Sequence, residues 1–77
     1  MNFEEKLARY IASKLIQKKY FAIKGEFPDE KKLIFYINLI IQKLNDKYRK
    51  LTLIRLHSPK GLITPQIAEI VEEIKIK

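Results

Sequence analysis

Between Asp29 and Ser58 the chain meets no glycine and no proline, and apolar residues recur at every third or fourth position: Leu33, Ile37, Ile40, Ile41, Leu44, Tyr48 and Leu51. That spacing predicts a long amphipathic helix of about 28 residues. Ile34, Phe35, Tyr36 and Leu39 add apolar surface on a second side. A helix apolar on more than one side has to be covered on more than one side. Two short neighbouring helices leave part of it bare, so a second copy of the chain or another protein is expected to pack on Leu33, Ile37, Ile40, Ile41, Leu44, Tyr48 and Leu51.

The flanking segments read as shorter helices. Phe3, Leu7, Ile11 and Leu15 fall four apart with Ala8, Ala12 and Ile16 beside them, so a helix is expected over residues 3–20. Asn2 suits its N-cap, and Glu5 suits the capping-box position. Lys6, Arg9, Lys14, Gln17 and Lys18 lie off that stripe. Gly25 can end the first helix in the left-handed conformation, and Pro28 with Asp29 and Glu30 opens the second. Ser58-Pro59-Lys60-Gly61 has the composition of a turn. Thr64-Pro65 then gives an N-cap followed by a proline at the first helical position, with Ile67, Ile70, Val71 and Ile74 on one stripe. The expected fold is therefore all-α and a single small domain over residues 1–77: short helix, long central helix, short helix. Residues 51–57 also suit a strand, because Thr52 and Ile54 are branched at Cβ; an α+β fold with a strand or hairpin at 51–63 is the alternative.

Little in the sequence supports catalysis. The chain has 77 residues, no cysteine, one histidine and two glycines. Thiolate chemistry, a histidine-cluster metal site and a glycine-rich phosphate cradle are thereby excluded, and no cofactor or metal is expected. The carboxylate pairs Glu4/Glu5 and Asp29/Glu30 are explained as helix N-terminal charges, and Glu72/Glu73 as a solvated face. His57 beside Ser58 has no local orienting carboxylate and reads as a helix C-terminal cation. The apolar run 33–41 falls well short of the roughly 20 residues that span a bilayer. The segment MNFEEKLARY has no apolar signal region, so a cytoplasmic setting is expected.

The net charge is +7, and the excess lies in the first two thirds: +4 over residues 1–25, +3 over 26–57, zero over 58–77. Such an excess favours contact with phosphates. Lys14, Lys18, Lys19 and Lys24 approach the first loop, while Arg55 and Lys60 flank the second. In a head-to-tail pair of chains these two groups come together as a phosphate-contacting surface without base readout. Aromatics do not interleave with the basic positions in the way a single-strand stacking platform requires. A basic first helix also fits a membrane surface, but Ala8 and Ala12 suit docking onto another helix better.

The order of elements, together with FEEKLARYIA near the start and His57-Ser58-Pro59-Lys60-Gly61-Leu62-Ile63-Thr64-Pro65-Gln66-Ile67 in the last third, resembles the histone fold. The resemblance implies a handshake homodimer, with Lys60 at the loop position that meets DNA phosphate and Arg55 as a second contact. The family's Arg-Lys-Thr is replaced by Pro59-Lys60-Gly61-Leu62, and its early acidic residue in the last helix by Gln66/Ile67. Two functions follow as expectations. One is a small basic dimeric protein that binds nucleic acid through backbone phosphates in an architectural or regulatory role; the other is an interaction module whose central helix packs on another protein.

Overall fold

The computed structural model describes residues 3–48 and 59–77, with side chains over 5–47 and 64–77. Three helices make up the fold: α1 (Phe3–Lys24), α2 (Glu30–Tyr48) and α3 (Pro59–Glu73). Each packs against the other two. No strand occurs among the described residues, and residues 59–63, which the hairpin alternative would have used, are helical. The fold is all-α. The expected continuation of the central helix over 49–57 lies outside the described residues, as does the Asn2 cap. Over its described length α2 has 19 residues and α1 has 22, because α1 runs one turn past Tyr20.

Local chemistry explains the first two boundaries. Gly25 sits at φ 76° and donates its N–H to the Phe21 carbonyl at 2.8 Å, closing α1 in the left-handed conformation that glycine enters without a Cβ clash. Asp29 is the N-cap of α2. Its Oδ1 accepts the Lys32 N–H at 2.8 Å, and its carbonyl accepts the Leu33 N–H at 2.9 Å.

The start of α3 corrects the sequence reading. The helix begins at Pro59 rather than at Thr64-Pro65, and Pro65 lies inside it. Both prolines fit a first helical position, where a missing N–H loses nothing. At Pro65, by contrast, the missing N–H leaves the Gly61 carbonyl without its helical donor. Ile67, Ile70, Val71 and Ile74 dock this helix on the other two and hold it despite that loss.

The core forms where the three apolar stripes meet. Ala8, Ala12, Ile16 and Tyr20 of α1, Tyr36, Ile37, Ile40, Ile41 and Leu44 of α2, and Ile67, Ile70, Val71 and Ile74 in and just after α3 are buried together. Burying a side chain such as Ile40 or Leu44 contributes about 1.5–3 kcal/mol. Ala8 and Ala12, with no atoms beyond Cβ, let the neighbouring helices approach α1 closely.

That packing revises the expected interface. Ile37, Ile40, Ile41 and Leu44 lie in the chain's own core, and Leu33 is half-buried against it. Tyr48 is the last described residue of α2, and Leu51 lies outside the described residues. The α1 and α3 stripes together enclose Ile37, Ile40, Ile41 and Leu44. What stays bare on α2 is the other side, where Ile34 and Phe35 are exposed.

Candidate nucleic-acid interface

The side of α1 turned away from the core carries Lys6, Tyr10, Lys14, Gln17, Phe21 and Lys24. Steps of three and four residues put them on one line, because 3.6 residues complete a helical turn. All but the half-buried Gln17 are exposed, and Lys18 stands exposed at the edge of the row. No carboxylate falls on this line. Exposed rings and ammonium groups therefore alternate along the helix, which overturns the reading that aromatics and basic positions do not interleave. Lys14 Nζ lies 5.5 Å from the centroid of the Tyr10 ring, within cation–π range.

The loop after α1 completes the surface. The turn at Gly25 brings Phe27 back onto Phe21, with ring centroids 4.8 Å apart and planes tilted by 37°. Both rings stay open to solvent, Phe21 at 47% and Phe27 at 63%. Together with Lys14, Gln17 and Lys18 they line a groove of about 360 Å³. Gln17 donates from Nε2 to Ser13 Oγ at 2.8 Å, which fixes its amide at the edge of the groove. Lys32 donates to the Tyr20 hydroxyl at 3.5 Å, and its ammonium pKa is raised above 10.5 first by that hydroxyl and then by the charges of Asp29 and Glu26.

The six basic residues expected to contact phosphate do not act alike. Lys14, Lys18 and Lys24 belong to this face. Lys19 does not: its Nζ donates to the carbonyls of Val71 at 2.7 Å, Glu72 at 3.2 Å and Ile74, so it caps the C-terminal end of α3. It sits among Leu15, Ile16 and Tyr20, on the core side of α1. Lys60 lies in the first turn of α3, and Arg55 is outside the described residues. Sequence reasoning places Lys6 and Gln17 off the apolar stripe without assigning them to the site, and it leaves out Tyr10 and Phe21, although their spacing opposite that stripe is visible. Phe27 carried no such signal, since its place depends on the Gly25 turn.

A larger groove, about 450 Å³, lies on the other flank of Lys18 between α1 and α3, lined by Leu15, Ala22, Ala68, Val71 and Glu72 as well as Lys19. Among the described residues Glu72 brings a carboxylate to its lining, and Lys19 is already engaged, so it suits an anion less well. Among the described residues no three His, Asp or Glu side chains gather as a metal site, and no helix is long and apolar enough to cross a membrane.

The chain matches no known protein-family model, no curated protein sequence and no solved structure.

Proposed function

We propose that this chain is a non-catalytic nucleic-acid-binding protein that meets phosphates along the outer face of α1. One observation carries the reading: Lys6, Lys14, Lys18 and Lys24 lie exposed along the outer side of α1, and among the described residues no carboxylate occupies the row 6, 10, 14, 17, 21 and 24. From Lys6 to Lys24 the row runs about 27 Å along the helix axis, long enough to follow a phosphate backbone. Four phosphate contacts give a plot of log affinity against log salt a slope of about −3.6 on duplex DNA and about −2.8 on a single strand. Fluorescence anisotropy of a labelled oligonucleotide, titrated at several salt concentrations, measures that slope. The double variant Lys14→Gln/Lys18→Gln should flatten it by about 1.4–1.8 while far-UV circular dichroism stays unchanged. Absence of binding at about 50 mM salt with micromolar protein, or a slope the double variant does not alter, refutes the reading.

A second reading, that the chain is an interaction module, has its own surface. Phe35 is 62% exposed and, with Tyr36, Leu39 and Lys43 of α2 and Glu73, Ile74, Lys75 and Lys77 at and just after the end of α3, lines a groove of about 370 Å³. If a protein partner packs there, or a second copy of the chain does, Phe35→Asp abolishes that association without changing oligonucleotide affinity. Sedimentation of the parent and the variant, alone and with candidate partners, tests it.

A further inference from the structure

We infer that the nucleic acid this face takes is single-stranded, with one base stacked on Tyr10, another on the Phe21–Phe27 pair, and the phosphates between them held by Lys14 and Lys18. The inference rests on the phosphate reading above and adds the ligand's form to it.

The rings decide the form. A duplex keeps its base faces stacked inside and offers only edges and phosphates, whereas a single strand can splay its bases onto aromatic side chains. Tyr10 at 62% and Phe27 at 63% exposure bury little of their apolar area within the chain, and Phe21 only about half. Tyr10 and Phe21 are eleven residues apart on one face, about 16 Å along the axis, and Lys14 and Lys18 lie between them. Ring, cation, cation, ring is the order a short strand needs when backbone and bases are both engaged.

Charge and polarity narrow the occupant further. A second copy of the chain would set one lysine row against another, which like-charge repulsion opposes. An acyl chain would gain nothing from the Gln17 amide at the groove edge. Once Nε2 has bonded Ser13, that amide still has an oxygen acceptor and a second N–H for the edge of a base. Nucleobases combine a π-face, a hydrogen-bonding edge and a linked phosphate, and all three have a counterpart here.

The full chain is titrated with labelled oligothymidylate, oligouridylate and a mixed-sequence DNA duplex of equal length. Either single strand should bind at least about ten-fold more tightly than the duplex, and the stronger of the two arms identifies DNA or RNA. Tyr10→Leu and Phe21→Leu should each weaken single-strand binding by about ten-fold, leaving duplex binding and the salt slope unchanged. Both positions are solvent-exposed, and circular dichroism verifies that the variants fold. A second measurement uses Tyr10→Trp, whose emission should be quenched by the oligonucleotide and not by inorganic polyphosphate. Duplex binding as tight as single-strand binding, with both leucine variants unaffected, overturns this inference and leaves the phosphate reading standing. No binding to any of the three oligonucleotides overturns both. Tighter binding to vesicles of anionic phospholipid than to either single strand also overturns it, and assigns the rings to a membrane surface.

Discussion

Replacing Lys19 by methionine separates a lysine that holds the fold from lysines that face a ligand. The four-carbon stem is roughly kept in length, and what disappears is the ammonium that α1 extends to the end of α3. Three donors meet three carbonyls, those of Val71, Glu72 and Ile74. The last carbonyls of a helix lack intrahelical partners and form the negative end of its dipole, where a partly buried cation contributes up to about 2 kcal/mol. Hydrogen bonds to a charged group contribute about 1.5–3 kcal/mol. Lys19 is half-buried, so water reaches part of the vacated site, and the freed side chain recovers about 2 kcal/mol of ordering entropy. The net expectation is a loss of about 2 kcal/mol, or a fall of roughly 8–16 °C in Tm for a domain of this size. Urea unfolding followed by the helical circular-dichroism signal measures it, with an unchanged m-value showing that the transition itself is preserved. Lys18→Met, one residue away and exposed, is the control and should stay within about 0.5 kcal/mol of the parent. The oligonucleotide salt slope should respond in the opposite pattern, unchanged in Lys19→Met and flattened in Lys18→Met. If Lys19→Met unfolds within 0.5 kcal/mol of the parent, the cap assigned to Lys19 is wrong.

Two further substitutions test the fold that carries the face. Asp29→Ala removes the side-chain acceptor at the start of α2 and should cost about 1 kcal/mol, read from the same urea transition, while Asp29→Ser should recover most of it. Leu44→Ala, at a fully buried position in the three-helix core, should cost about 2–5 kcal/mol; a loss below 1 kcal/mol, measured the same way, would mean that α2 is not enclosed as described.

Much of this architecture is legible in the sequence, for identifiable reasons. The stripes of α1 and α3 repeat at helical spacing, and the signals at Gly25 and Asp29 are local, so no tertiary information is needed to read them. Pro65 misled because a Thr-Pro start is also a local signal, and Pro59 offers the same chemistry six residues earlier. The α2 stripe is legible as apolar, but its cover is not, since enclosure depends on the summed width of the two other helices. Lys19 had a clue of its own: it is a lysine on the apolar side of α1, beside Ile16 and Tyr20, where a cation needs a partner. That the partner would be the end of α3, more than fifty residues away, is a property of the packing alone. The Tyr10–Phe21 row was present in the spacing and became recognisable once the core side of α1 was fixed.

The two sides of α1 answer to different demands. Ala8, Ala12, Ile16, Lys19 and Tyr20 tie the helix to the rest of the molecule, whereas the outward positions 6, 10, 14, 17, 21 and 24 stand outside the three-helix core, with Phe21 meeting the Phe27 ring of the following loop. Mutation can therefore rewrite the outward set freely, altering what the chain grips and how strongly, while the scaffold keeps its shape. Within one helix of 22 residues, recognition can diversify without passing through unfolded ancestors.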